Sequence, residues 1–571
     1  MTKADEEIAE CLKARTSFLL DAGAGAGKTY SLVQALRAVL KEHRRELAAN
    51  GQTVACITFT NVAKDQILER IGHDTVVRVS TIHDFLWEAI APHQKALKAA
   101  LLKFNAGLSD RSNRKKDADE LAAALADVAV TYSDTGSNFL KGRLFHDDLL
   151  GVARHMFADN PLLCRLTTAR HPFLFVDEYQ DTSLAVIEIV LGHLLPGGTK
   201  GFVVGLFGDK LQNIYHGGEH PGVGEIPAGL AAGLRPIVKA ENRRCSEAVI
   251  RVLNRIRTDI EQFPAANNAP GAAVYVHPGR DGDAGLAAAH AFVDEKLGWS
   301  RAAPACRELF LTHRLIAGKA GYGDLLALYT ERGGFARDRL MDGEDPSIAY
   351  FLKRIEPLTG TWARDDQGRT LSLLRANGHK LASNADKRTA RQALDDLVRL
   401  SDEGTIGEVA GHIAASGLFP LLDELVFRLD GGKREVAGED AAAAEREARD
   451  QAFYAGLFEL PYRQVRAFAD FFAAHTPFAT KHGVKGDEFD TVLVVLDDGG
   501  ANWTLYSFAK YLSGEDAAGN AKRWSRSRNV FYVCCSRAQT NLAVIDLTAR
   551  SAAKDDQVRA MFGGDNAHFL A

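Results

Sequence analysis

Eight residues near the N-terminus, Ala22-Gly23-Ala24-Gly25-Ala26-Gly27-Lys28-Thr29, carry the clearest chemistry of the chain. An apolar run, Phe18-Leu19-Leu20, leads into them, and an amphipathic pattern follows from Tyr30. That is the order strand, phosphate loop, helix. Glycines let backbone N–H groups close around nucleotide phosphates, Lys28 reaches the outer phosphates, and the Thr29 hydroxyl serves Mg2+. Ala22 stands where the general rule has glycine. A second apolar run, Phe173-Leu174-Phe175-Val176, passes straight into Asp177-Glu178. A carboxylate at a strand end holds Mg2+, directly or through water, and the next can orient and polarise an attacking water.

These residues need a scaffold that brings two strand ends together. The first 80 residues alternate strand and helix: FLLDAG, a helix to about residue 48, VACITFT, KDQILERI and VVRVST. Such alternation implies a parallel sheet covered by helices. From about 84 to 165 the periodicity is helical, and FLFVDE and GFVVGLFGD then return to strands. A second α/β unit begins at about 241, with helix EAVIRVLNRIR and strands RELFLTH, TVLVVLD and NVFYVCCS. Another helical stretch fills roughly 330–462; its EDAAAAEREARD segment reads as a solvated helix face. The expected fold class is α/β, two units each carrying a mainly helical insertion.

A chain of 571 residues has room for several domains. Its net charge of −5 advertises no basic nucleic-acid-binding tail, so any such binding must use a local groove. No apolar run is long enough to span a bilayer, and no membrane partner is expected. Seven cysteines without a C-x-x-C pair disfavour zinc, iron–sulfur and a disulfide framework, and fit a reducing cytoplasm. Cys534-Cys535 read as small hydrophobes in a strand.

In order along nearly the whole chain, the motifs resemble those of the UvrD/Rep family of superfamily-1 DNA helicases. AGAGAGKT is similar to that family's phosphate loop, in which alanine commonly opens the motif. ITFTNVAKDQI, VSTIHDF, FHDDLL, VDEYQDTS, FGDKLQNIYHG, ENRRCSEAV, ATKHGVKGDEFDTVLVV and NVFYVCCSRAQ resemble the motifs that follow. The resemblance implies two RecA-like parallel-sheet motor domains. The first takes 1–83 and 166–240, with 84–165 inserted; the second takes 241–330 and 463–571, with 331–462 inserted. It also implies ATP and Mg2+ as cofactors and single-stranded or tailed duplex DNA as partner. The compact chain is also similar to the UvrD-like proteins that stand beside a nuclease in antiviral systems of the Gabija type.

Carried over position by position, the resemblance implies catalytic roles for Lys28, Asp177, Glu178, Gln212, Arg244 and Arg537. Gln212 would sense the γ-phosphate, and the two arginines would reach the phosphates and stabilise transition-state charge. Thr29 and Asp177 would hold the metal. Nucleotide contacts would come from Ala22, Gly23, Ala24, Gly25, Ala26, Gly27, Lys28, Thr29, Tyr30, Arg243, Gly486 and Glu488. The DNA track would use Phe59, Thr60, Asn61, Thr81, His83, Tyr215, Thr312, His313 and His482, with hydrogen bonds to phosphates and ring faces to bases. Departures are visible: the family's adenine-reading Gln has no counterpart, Arg243 replaces a stacking Tyr, and Gly217 replaces a base-stacking Trp. Arg111, Arg114, Lys115 and Lys116 read first as a solvated loop, and second as a grip on duplex phosphates. Two functions follow as expectations: a 3′ to 5′ translocase and helicase, or a DNA- or nucleotide-sensing ATPase subunit that regulates a partner nuclease. A small-molecule kinase or GTPase would need only the phosphate loop and leaves the other motifs unexplained.

Overall fold

The computed structural model describes residues 2–570, apart from 59–60, 110–111, 113, 134–136, 215–220, 266–267, 302–304, 311–316, 319, 342, 344, 377–378, 380–382, 435–440, 473–477, 481–486 and 499–505. For 61–62, 334–335, 338, 441–443 and 478–480 it describes the backbone alone. Two compact units divide the chain. The first is Met1–Tyr275, Thr504–Leu542 and Arg550–His568; the second is Val276–Trp503, Ala543–Ala549 and Phe569–Ala571.

Six strands build the first sheet: β1 (Phe18–Ala22), β2 (Val54–Thr58), β3 (Val77–Thr81), β4 (Phe173–Asp177), β5 (Val203–Gly208) and β6 (Arg235–Lys239). Their order is β3-β2-β4-β5-β1-β6, and every pair is parallel. Strands β2, β4 and β5 are buried along their whole length, which is why they read as unbroken apolar runs. The register sets Asp177 of β4 beside Phe207 of β5, and Asp21 of β1 beside Gly208. The carboxyl ends of β1, β4 and β5 therefore finish at one level, where open α/β sheets bind ligands.

Helix α1 (Lys3–Lys13) is fixed at its start by a capping box between Thr2 and Asp5. Asp5 is buried, and its Oδ1 takes hydrogen bonds from Ser31 Oγ at 2.5 Å and Lys239 Nζ at 3.1 Å. Burial alone would raise the Asp5 carboxyl, but the Ser31, Thr2 and Lys239 interactions outweigh it and hold the group below its usual value. This cluster pins α1 and β6 to α2 (Lys28–Ala49), the helix that leaves the phosphate loop.

The segment after β3 is helical, with α3 (Ile82–Ile90) followed by helices Gln94–Gly107, Ala118–Leu125, His146–Asp159 and Pro161–Arg170. Its apolar residues, among them Leu97, Leu101, Leu121 and Met156, join Ile57, Val176 and Leu206 of the sheet in one core. Arg114 pairs with buried Asp148 at 2.8 Å, and Lys115 Nζ donates to Leu108 O at 2.9 Å. These two cations hold their own loop in place; Arg111 lies outside the described residues.

A second six-stranded sheet contains β7 (Ala273–His277), β8 (Cys306–Phe310), β9 (Phe478–Thr480), β10 (Phe489–Leu496), β11 (Ala538–Asp546) and β12 (Ala567–Phe569), in the order β9-β8-β10-β11-β7-β12. Strand β8 pairs in parallel with β9 and β10. The α/β class with parallel sheets, consistent with two RecA-like domains, is thus borne out.

One element corrects the sequence reading. NVFYVCCS was expected to be a strand, but it lies in helix α5 (Ala521–Cys535), following α4 (Glu247–Ile256) in the chain. Val530 to Cys535 are all buried, so no polar face marks a helical period, and their β-branched and aromatic side chains mimic a core strand. The helix start was legible: the Asn520 side chain accepts from the Arg523 N–H. Cys534 and Cys535 do pack as small hydrophobes, and all seven cysteines are buried and unbridged. Among the described residues no helix is long and apolar enough to cross a membrane.

His171, just before β4, is buried and shares a 2.8 Å hydrogen bond with Thr53 Oγ1 before β2. Burial, reinforced by Arg170, lowers its pKa to about 4. A depressed folded value means that folding favours the neutral ring. Stability is then present above the unfolded value and lost as pH falls through the folded one. Between pH 7 and 5 this group alone costs about 2 kcal/mol. His171→Asn, which cannot charge, should flatten the pH dependence of the unfolding free energy from urea titrations by that amount; an unchanged slope would refute the assignment.

Candidate nucleotide-binding site

The phosphate loop leaves β1 at Ala22 and enters α2 at Lys28. Gly25 and Gly27 take the left-handed backbone, with φ of 72° and 79°. At Gly25 a Cβ would also lie 2.7 Å from Asn242 Oδ1, and at Gly23 one would lie 2.1 Å from Gln262 Nε2. These glycines admit side chains that fasten the loop from outside. Asn242 Nδ2 and Gln262 Nε2 both donate to Ala24 O, at 2.9 and 2.8 Å, and the Arg243 N–H donates to Gly25 O at 3.0 Å. The Ala24 N–H donates to the Tyr532 hydroxyl at 3.0 Å. All these groups belong to the first unit.

Lys28 Nζ sits 2.8 Å from Glu178 Oε2, with its side chain only 10% exposed. Burial would lower its pKa, but Glu178, Asp209 and Asp177 outweigh that and raise it, so the ammonium stays charged. Asp177, at the end of β4, is raised to about 7, first by burial and then by the Glu178 charge, with Lys28 partly offsetting both. Its Oδ1 takes the Glu178 N–H at 3.0 Å. Glu178 adopts the left-handed backbone, φ 50° and ψ 49°, a conformation uncommon outside glycine and characteristic of strained functional positions. That turn faces the carboxylate toward Lys28 rather than back along the strand.

Gln180 is fully buried and joins the ends of β4 and β5. Its Nε2 donates to Glu178 Oε2 at 2.6 Å and its Oε1 accepts the Asp209 N–H at 3.0 Å. Gln212 follows and donates through Nε2 to Asp209 Oδ2 at 2.8 Å. Arg537, just beyond α5, is 1% exposed, and its Nη2 approaches Gln212 Oε1 at 3.4 Å. Its pKa is lowered to about 10, first by burial and then by the neighbouring Arg244 cation. Arg244 Nη1 donates to Ser536 O at 3.3 Å. Lys28, Asp177, Glu178, Gln212, Arg244 and Arg537 thus form one connected cluster around the loop, within the first unit.

The remaining expected contacts separate. Tyr30 is exposed, with Lys239 Nζ 5.6 Å from its ring centre, and Arg243 is exposed. Glu488 lies before β10 in the second unit, and Gly486 lies outside the described residues. Of the DNA track, Thr81 caps α3 by accepting the Asp84 N–H at 3.2 Å. The His83 ring is parallel to Tyr132 at 6.3 Å and 4.7 Å from His146. Phe59, Thr60, Tyr215, Thr312, His313 and His482, with Gly217, lie outside the described residues, as does the Asn61 side chain.

The donor set suits a hard divalent cation: one hydroxyl, Thr29, and one carboxylate, Asp177. Mg2+ takes few protein ligands and completes its shell with phosphate oxygens and water. Among the described residues no group of three or more His, Cys, Asp or Glu side chains could enclose a metal by itself.

A parallel α/β sheet with a lysine-bearing phosphate loop beside a strand-end Asp-Glu pair, and two arginines at hand, is the arrangement found in helicase-like P-loop ATPases. Residues 5–218 match the family model described as an AAA domain. The chain is 23% identical to Gabija protein GajB of Bacillus cereus (strain HuB5-5), over 95% of each. Gabija protein GajB of Bacillus cereus (strain VD045) is 26% identical over 36% of this chain and 39% of its own. The resemblance read from the motifs, UvrD/Rep-like with Gabija-type relatives, is borne out.

Proposed function

We propose that the chain is an ATP-dependent translocase and helicase on single-stranded DNA, moving 3′ to 5′. The observation that carries this reading is the hydrogen-bonded chain that runs from Lys28 of the phosphate loop through Glu178, Gln180 and Asp209 to Gln212 and Arg537. Lys28 and the loop N–H groups would hold the β- and γ-phosphates. Mg2+, held by Thr29 and Asp177, would supply positive charge to the phosphate oxygens. Glu178 would orient the attacking water, and Gln212 would register the γ-phosphate. Arg244 and Arg537 would stabilise charge as it spreads over the transferring group. Tyr30, Arg243 and Glu488 would hold the nucleoside. Phe59, Thr60, Asn61, Thr81, His83, Tyr215, Thr312, His313 and His482 would contact the DNA strand.

A second reading is a DNA- or nucleotide-sensing ATPase subunit that regulates a partner nuclease in antiviral defence. Similarity to Gabija protein GajB along 95% of the chain favours it. The two readings differ in work done per ATP. ATP turnover is expected to rise about tenfold or more with single-stranded DNA, on the scale by which completing a catalytic constellation changes rate. Strand displacement from 3′- and 5′-tailed duplexes then separates them. Unwinding of the 3′-tailed duplex alone supports the motor; stimulated ATPase without unwinding of either supports the sensor. Turnover indifferent to DNA would end the translocase reading.

A further inference from the structure

One guanidinium fastens several parts of the proposed nucleotide site. Arg257 follows α4 and is 1% exposed. Its Nη1 donates to Asp209 Oδ1 at 2.7 Å and lies 3.4 Å from Ala22 O, where the phosphate loop begins. Nη2 donates to Asp21 Oδ1 at 3.1 Å, and Nε to Asp259 Oδ1 at 3.0 Å. The guanidinium also bonds the Tyr532 hydroxyl, which itself accepts the Ala24 N–H. Asp209 completes the path. It is fully buried, and its second oxygen, Oδ2, takes the amide of Gln212.

From the root of the phosphate loop to Gln212 there are thus two side chains, Arg257 and Asp209, joined by charge-assisted hydrogen bonds. A buried lysine would neutralise Asp209 equally well. It is a point charge, however, and cannot hold a loop carbonyl and three carboxylates at fixed angles, as a rigid planar fork can. Tyr532 ties the same fork to α5, two residues before the Arg537-bearing turn begins at Cys534.

We propose that Arg257 is a positioning residue for ATP turnover, holding Gln212 through Asp209 at a fixed place relative to the phosphate loop. The proposal rests on the nucleotide-site reading above. Its role is to make the loop and the γ-phosphate sensor move as one body, without touching the nucleotide.

The test is Arg257→Lys in the full chain, with turnover normalised to sites that bind a fluorescent ATP analogue. Nucleotide affinity should stay within about threefold of wild type, while kcat falls about thirtyfold, because only the alignment of the reacting state is lost. Combined with Gln212→Ala, it should add nothing to the loss of Gln212→Ala alone, since both act on one path. A purely structural role would lower the melting temperature and the fraction of competent sites, with kcat per site unchanged, and would overturn the proposal. So would additive losses in the double variant. Should Arg257→Lys not fold, Tyr532→Phe removes only a hydroxyl from the same fork. Its kcat should fall about fivefold at unchanged KM, and wild-type kcat would overturn the proposal. Failure of the wild type to bind ATP would instead sink the underlying nucleotide-site reading, and the role of Arg257 with it.

Discussion

Lys28→Ala should lower ATP turnover by about a thousandfold or more, the scale of losing a preorganised cation at a transferring phosphoryl group. Lys28 is the side-chain cation of the loop itself, and its surroundings keep it charged. Removing it does more than delete a phosphate contact. Glu178 and Asp177 would then face the incoming polyphosphate without their shared counter-ion. ATP affinity should therefore fall together with kcat. Phosphate release and nucleotide binding, measured separately, check this. Turnover within tenfold of wild type would show that Lys28 serves only its ion pair with Glu178.

Glu178→Gln should do the opposite to binding while stalling chemistry. Glu178 Oε2 takes hydrogen bonds from both Lys28 and Gln180. ATP must draw Lys28 away from that carboxylate before its phosphates can use it. The amide carries no charge, so Lys28 is released at less cost and ATP binds more tightly. The same change removes the group that would orient and polarise water, a loss of about a thousandfold in turnover. Gln keeps the side-chain length and places the same demand on the left-handed backbone, so the melting temperature should stay close to wild type. Normal hydrolysis by the variant would remove Glu178 from the water-orienting role.

Much of the site was legible because its parts are punctuated. A buried parallel strand is an unbroken apolar run, and its end is marked by the first residue that breaks it: Asp21 for β1, Asp177 for β4 and Asp209 beyond β5. The carboxyl half of helix α5 was not legible because burial on all sides of residues 529–535 erases the polar stripe that reveals a helix. Asp209 and Tyr532 lay inside quoted motifs, FGDKLQNIYHG and NVFYVCCSRAQ, yet nothing there showed that they meet. Arg257 had no signal at all. Its neighbourhood, NRIRTDIEQF, looks like an ordinary charged helix end, and its partners Asp21 and Asp209 are 236 and 48 residues away in the chain. A local pattern cannot announce a buried ion pair closed by the fold. Asn242 and Gln262 were missed for the same reason: their partner is the carbonyl of Ala24, and a carbonyl has no letter in a sequence.

The cysteines have a practical consequence. Burial raises the pKa of Cys11, Cys56, Cys164 and Cys535, and that of Cys306 to about 12, so these sulfurs are protonated as well as shielded. Maleimides and iodoacetamides react with exposed thiolates. The folded protein is therefore a quiet background for such reagents as it stands, with no native thiol to be replaced first. One cysteine introduced at an exposed position outside the proposed contacts, such as Val238 of β6 beside β1, would take a dye selectively. Optical reporters could then follow each ATP as it arrives, in a chain otherwise unaltered.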